Sequence, residues 1–232
     1  MPERRFRRPL HRQVRAQLEL LDTAFLEDCR CYFGGGTRIV LELGEYRESK
    51  DVDFLCADRG GYRRLRETVS DGSLGHAGKS GLRLAREVRA DQYGIRTRLG
   101  RGETALKFEV IRESRIDLAS ERVPGIPAAC LDRSSTFAEK LLANADRGLD
   151  RSTLSRDAID LAFMMQGWEA EHAASGVATA RLAYGAEVDR KLAQVVELLR
   201  SDRAYRARCV EALAIEDTRT LSKGLGRLGK GL

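Results

Sequence analysis

Between residues 10 and 29 the apolar positions Val14, Leu18, Leu21 and Phe25 recur at steps of four, three and four. That is one face of an amphipathic helix, so a single helix is expected here. Arg4, Arg8, Arg12 and Arg15 would lay a basic stripe beside that face. Next come Tyr32-Phe33, then Gly34-Gly35-Gly36-Thr37, the apolar Ile39-Val40-Leu41 and a charged loop over residues 44–50. Asp51-Val52-Asp53-Phe54-Leu55 alternates polar with apolar and predicts a short strand, with Asp51 and Asp53 on one side and Val52 and Phe54 toward the core. A helix over residues 62–69 and a loop over 71–81 follow. Period-two alternation over 95–99 and 106–111, across Gly100-Arg101-Gly102, predicts a β-hairpin. In its second strand Phe108 and Val110 share one face, and Lys107 and Glu109 the other.

The pattern turns almost wholly helical after Pro124-Gly125-Ile126-Pro127, with apolar residues at helical spacing over 137–147, 155–166, a long segment 178–199, and 203–213. Residues 222–232 hold four glycines among basic residues and are expected to be mobile. The 232 residues suffice for two domains. The division is placed at the proline pair: 1–125 carrying the strands, and 126–232 helical. The expected class is α+β, a mixed sheet flanked by the N-terminal helix and followed by helices that complete a nucleotide cleft.

Composition narrows the class of protein. With 42% hydrophobic and 33% charged residues, the chain is neither disordered nor membrane-spanning. Five cysteines without a disulfide-framework spacing, and no apolar leader, point to a reducing cytoplasm. The net charge of +6 is concentrated in three clusters: Arg4, Arg5, Arg7, Arg8, Arg12 and Arg15; Arg63, Arg64 and Arg66; and Lys223, Arg227 and Lys230. Each suits a polyanion, and each is equally well explained as a solvated face. No aromatic residues are interleaved with them for stacking on bases.

The chemistry concentrates in Gly35-Gly36-Thr37, thirteen further residues, then Asp51-Val52-Asp53. A glycine pair before a small hydroxyl residue lets backbone N–H groups approach phosphate oxygens. Two carboxylates on one strand face offer oxygen ligands to Mg²⁺. A third acid is expected on a neighbouring strand: Glu109 is so placed, with Glu113 and Asp117 a short way downstream. A lone glycine pair or a lone Asp-x-Asp is weak evidence; their conjunction with a third acidic strand is much stronger. Other chemistries lack their parts. His11, His76 and His172 are scattered, Cys29-Arg30-Cys31 has no second ligand pair and belongs at the buried end of the first helix, and no lysine follows the glycines as in a Walker loop.

Phe33-Gly34-Gly35-Gly36-Thr37 and Lys50-Asp51-Val52-Asp53-Phe54 resemble the first motif of the polymerase-β nucleotidyltransferase superfamily, in particular its AbiEii/AbiGii toxin branch. Phe137-Ala138-Glu139-Lys140-Leu141-Leu142 resembles that branch's lysine-bearing helix, and Arg156-Asp157-Ala158-Ile159-Asp160-Leu161 its Arg-Asp-x-x-Asp-Leu helix. The resemblance covers about residues 30–166. It implies a polymerase-β-like fold in which Asp51 and Asp53 bind Mg²⁺, or Mn²⁺ in its place, and Gly35, Gly36 and Thr37 hold an NTP. It further implies that Lys140 contacts phosphate, that Asp157 helps complete the site, and that the products are pyrophosphate and a nucleotidylated hydroxyl. Asp53 is the preferred group for assisting deprotonation. Lys50 either binds phosphate or solvates its loop, and the phosphate turn is either Gly34-Gly35 or Gly35-Gly36. The acceptor expected by likeness is RNA, at a tRNA 3′ end, and the likeness also implies an antitoxin partner. Three alternatives stay open: a protein hydroxyl as acceptor, γ-phosphoryl transfer, and a non-catalytic binding module on the same fold.

Overall fold

The N-terminal apolar stripe forms two helices rather than one, α1 (Pro9–Glu19) and α2 (Thr23–Asp28), in a computed structural model that describes residues 6–231. Asp22 causes the break: its side chain accepts the Phe25 N–H at 3.0 Å and so starts a new helix. The stripe continues through the break because Val14, Leu18, Leu21 and Leu26 all enter one core. Arg4 and Arg5 of the N-terminal basic cluster lie outside the described residues.

The elements that follow are β1 (Cys31–Phe33), α3 (Gly35–Glu42), β2 (Val52–Cys56), α4 (Arg59–Glu67), β3 (Leu84–Ala90), β4 (Gly94–Leu99), β5 (Leu106–Arg112), β6 (Ser120–Arg122) and β7 (Ala129–Leu131). The strands make one seven-stranded sheet in the order β3-β4-β5-β2-β1-β7-β6. It is mixed: β2 runs parallel to β5 and β1 to β7, and the other pairs are antiparallel. Period-two alternation puts Phe33, Val52, Phe54, Ile95, Leu99, Phe108 and Val110 on one face, where they join Leu18, Leu26, Tyr62 and Leu65 of the helices in a common core. The expected hairpin is β4–β5, paired from Gly94↔Ile111 to Leu99↔Leu106. The chain over 124–127 is the turn between β6 and β7, closed by Ile126 N–H donating to the Val123 carbonyl at 3.1 Å.

The helices after the sheet are α5 (Arg133–Arg147), α6 (Arg156–Gly167), α7 (Ala170–Tyr184), α8 (Glu187–Ser201), α9 (Arg203–Ala212) and α10 (Thr218–Leu228). The expected long segment over 178–199 is two helices, separated at Gly185, whose φ of +60° the helical chain does not permit. Of the glycine-rich tail, the part up to Leu228 is helical and packed. Leu221, Leu225 and Leu228 of α10 are buried, about 1.5–3 kcal/mol per side chain, which outweighs about 1 kcal/mol per helical glycine. Gly224 is one reason: a Cβ there would fall 2.1 Å from the Ala162 carbonyl oxygen, so its absence lets α10 lie directly on α6.

The protein is thus α+β, a mixed seven-stranded sheet followed by a set of helices. Two compact units emerge. One comprises the chain up to Glu42 together with Ser49–Asp132, and the other comprises Leu43–Glu48 together with Arg133–Leu232. No helix of the described residues is long and apolar enough to cross a membrane.

Candidate functional site

In the first unit, β1 ends at Phe33, directly across from Phe54 of β2, and the Gly34 N–H donates to the Asp53 carbonyl at 2.8 Å. The glycine turn is therefore stitched to the strand that carries the acids. Two of the three glycines have separate reasons to be there. A Cβ on Gly34 would sit 2.6 Å from Leu55 Cδ1 and 2.7 Å from Leu131 Cδ1, so that position is small for packing. Gly35 has φ of +66°, and a Cβ there would lie 2.5 Å from Asp53 Oδ2. The carboxylate occupies the space that any other side chain would fill. Because α3 starts at Gly35, Gly35 and Gly36 stand in the first turn of a helix, with Gly34 just before it. Backbone N–H groups of that first turn have no intrahelical acceptor, and the helix dipole adds positive potential, which together favour an anion.

Asp53 and Glu109 are direct neighbours in the parallel β2–β5 ladder, so their side chains leave the same face of the sheet about 4.8 Å apart in strand spacing. Glu109 also lies across from Arg96, whose Nε is 3.2 Å from its Oε1, and Lys107 holds its other oxygen. Glu113 is engaged elsewhere: its carboxylate takes the Arg115 guanidinium at 2.6 Å and the Arg115 N–H at 2.5 Å. Asp117 is exposed. Asp51 precedes β2 by one residue and is half-buried, and Lys50 beside it is exposed. Among the described residues no group of three or more His, Cys, Asp or Glu side chains is arranged to hold a metal ion by itself.

Thr37 is fully buried, its hydroxyl 2.8 Å from that of Ser49. The Ser49 N–H in turn donates to Nε2 of the buried His11 at 3.3 Å. These bonds tie the start of the Ser49-Lys50-Asp51 segment to α1 and α3. The hydroxyl of Thr37 thus serves the loop that leads into the acids.

The second unit holds an ionic network. Asp160, with no exposed surface, accepts the Tyr46 hydroxyl at 2.6 Å, Arg47 Nε at 2.7 Å and Nη2 at 2.8 Å, and Lys140 Nζ at 2.7 Å. Asp157 accepts Lys140 Nζ at 2.8 Å and Arg147 Nε at 2.8 Å. Burial by itself would raise both carboxyl pKa values; the facing cations overcome it and hold both below the ordinary aspartate range. Burial raises the Tyr46 phenol well above its usual value, and the adjacent Asp160 carboxylate adds to the shift. Tyr46 also stacks on Phe163, ring centroids 3.9 Å apart.

A family model described as the nucleotidyl transferase AbiEii toxin of type IV toxin–antitoxin systems matches residues 19–223. The chain belongs to the AbiEii nucleotidyl transferase toxin family. Two solved structures are similar over most of its length. One is a Helicobacter pylori protein described as a candidate nucleotidyltransferase, with TM-score 0.54 and 17% identity, covering 95% of this chain and 92% of that one. The other is JHP933 from Helicobacter pylori, with TM-score 0.55 and 18% identity, covering 95% of this chain and 89% of that one. At that identity they establish the likeness of fold. No curated protein matches at a significant level.

For this AbiEii nucleotidyl transferase the structure brings together Gly35, Gly36, Asp53 and Glu109 in one unit, with Asp51 and Lys50 at the strand's entry. Lys140 and Asp157 are joined to each other in the second unit. Sequence reasoning missed His11, Ser49, Tyr46 and Arg47. Tyr46 and Arg47 left one trace in the sequence, an aromatic and an arginine inside a loop otherwise expected to be solvated.

Proposed function

We propose that this family member moves a nucleoside monophosphate from an NTP to a hydroxyl of RNA, at a tRNA 3′ end, in the cytoplasm, as a toxin held in check by an antitoxin. The observation that carries the site is the Asp53 carboxylate packed against the α-carbon of Gly35 at the start of α3, with Glu109 beside it in register. A helix start made of glycines suits a polyphosphate, and it stands next to acids that suit its counter-ion.

The donor set fits Mg²⁺. All the candidate ligands are carboxylate oxygens, and magnesium characteristically uses one or two carboxylates plus substrate phosphates and water rather than a cage made wholly of protein. Asp51 and Asp53 would hold it, with Glu109 as the third acid; when bound it neutralises polyphosphate charge and polarises the phosphoryl oxygens. The residues themselves do the rest. N–H groups of Gly35 and Gly36 bind phosphate oxygens, and Thr37 with Ser49 and His11 holds the acid-bearing segment in place. Asp53 accepts the proton of the attacking hydroxyl. The acceptor oxygen bonds to the α-phosphorus, the bond from that phosphorus to the bridging oxygen breaks, and pyrophosphate leaves with the electron pair. Lys140 and Asp157 are assigned here to positioning, since each already satisfies the other in the buried network.

Incubation with α-labelled and γ-labelled NTPs, Mg²⁺ and total tRNA tests the proposal. Label from the α position on RNA is the expected result. Label from the γ position on an acceptor would replace it with phosphoryl transfer, α label on protein with protein nucleotidylylation, and no label in any arm with a binding module.

A further inference from the structure

The sheet face that carries Asp53 also carries a block of cations, of which Arg96 and Lys107 hold Glu109 while Arg86 and Arg89 on β3 have no part in the transfer step. Strand register aligns them in two rows. Asp53 lies beside Glu109, Glu109 opposite Arg96, and Arg96 opposite Arg89; in the next row Lys107 lies opposite Arg98, and Arg98 opposite Arg86. The alternating residues Ile95, Leu99, Leu106, Phe108 and Val110 are buried in the core, so these cations leave the other face. Arg86, Arg89 and Lys107 are exposed, Arg96 and Arg98 half-buried, and together they outnumber Glu87, Asp91 and Glu109 nearby. At the turn joining β3 to β4 stands Tyr93, 66% exposed, its N–H fixed to Asp91 Oδ1 at 2.7 Å.

We infer that this face is the track for the acceptor: a single-stranded RNA segment lies across β3 and β4 with phosphates on the exposed Arg86 and Arg89, a base stacked on Tyr93, and its end directed at Asp53. This rests on the proposed RNA acceptor. Sequence-tolerant single-strand binding needs a cationic strip plus an exposed aromatic ring, and the hairpin supplies both. From β3 to β2 is three strand spacings, roughly 14 Å, which suits a polymer better than a single phosphate. Charge on an edge strand also discourages edge-to-edge pairing, which would explain Arg86 and Arg89. On the interior strands Arg96 and Lys107 pair with Glu109 and Arg98 donates to the Ala105 carbonyl at 2.6 Å, so edge protection leaves the exposed tyrosine beside Arg86 and Arg89 unexplained.

The test is fluorescence anisotropy of a labelled, mixed-sequence, short single-stranded oligoribonucleotide with the full-length protein and no NTP, over a range of salt. The double variant Arg86→Gln, Arg89→Gln should flatten the plot of log K against log salt by about 0.7 for each phosphate no longer neutralised. Tyr93→Ala should weaken binding about five- to hundredfold at unchanged salt slope, with Tyr93→Phe restoring it. Arg63→Gln, at an exposed position of α4 across the core from this face, should leave both quantities alone. Wild-type slope and affinity in the Arg86/Arg89 and Tyr93 variants, or an equal loss in Arg63→Gln, would overturn the inference. Label transfer separates the two claims. RNA labelled by the wild type while the variants bind normally removes the track alone; altered binding with no RNA labelled removes the transfer proposal alone.

Discussion

Replacing Gly35 by alanine adds one methyl group at the point where the site is tightest. Two costs follow. At φ of +66° a side chain enters the left-handed region, about 1–2 kcal/mol for a residue with a Cβ. The new Cβ would also stand 2.5 Å from Asp53 Oδ2, where ordinary contact begins at 3.4 Å, so the carboxylate must retreat by roughly 1 Å. A displacement of that size at reacting groups costs about a hundredfold in rate. The expected variant therefore folds, melts about 2–8 °C lower, and releases pyrophosphate about a hundredfold more slowly at saturating NTP. Gly226→Ala in α10, where a Cβ meets nothing within 4 Å, is the control: unchanged rate and equal or higher stability. A Gly35→Ala enzyme of full activity would refute the claim that the Asp53 carboxylate works from that position.

Asp160→Ala removes the acceptor of four hydrogen bonds and leaves the buried Arg47 guanidinium without a carboxylate and the Tyr46 hydroxyl without its acceptor, so a loss of about 3–5 kcal/mol is expected in urea unfolding; a loss under about 1 kcal/mol would show the network to be incidental. Because the folded pKa values of Asp157 and Asp160 are depressed, their contribution is fully present above the unfolded value of about 3.9 and disappears as pH falls through the folded values. The urea midpoint should accordingly drop below about pH 4, with a shallower fall in Asp160→Asn; equal acid slopes would contradict the assignment. Glu109→Gln, which takes the carboxylate from Lys107 and leaves Arg96 only Asp91, should lower kcat while NTP binding changes less, and an unaffected kcat would exclude Glu109 from the site.

The strand of acids and the β4–β5 hairpin were legible because alternation over half-buried strands is a direct imprint of the core. The joint signal of glycines and acids was legible as a short sequence spacing, which β1 and β2 turn into direct proximity of Gly34-Gly35 and Asp53. By contrast, β3 buries only Val88 of its seven residues and is paired through two register shifts, so it carries almost no periodic signal. The three-residue strands β6 and β7 are too short to show one. The split between α1 and α2 was masked by a stripe that serves one core on both sides of Asp22. Bonds such as Ser49 to His11 or Arg47 to Asp160 link residues far apart in sequence, and no local pattern encodes them. Tyr93 shows the same limit: the aromatic absent from the linear basic clusters is brought to a cationic surface by the sheet.

Whether the acids beside the glycine turn grip a divalent ion together with nucleotide is best measured by electron paramagnetic resonance of Mn²⁺, titrated into protein with a non-hydrolysable NTP analogue. Wild type should deplete the free-ion signal beyond what the analogue does alone, and Asp51→Asn and Asp53→Asn, each still folded, should return it to that baseline. Depletion by both variants equal to wild type would contradict the metal assignment and with it the proposed site.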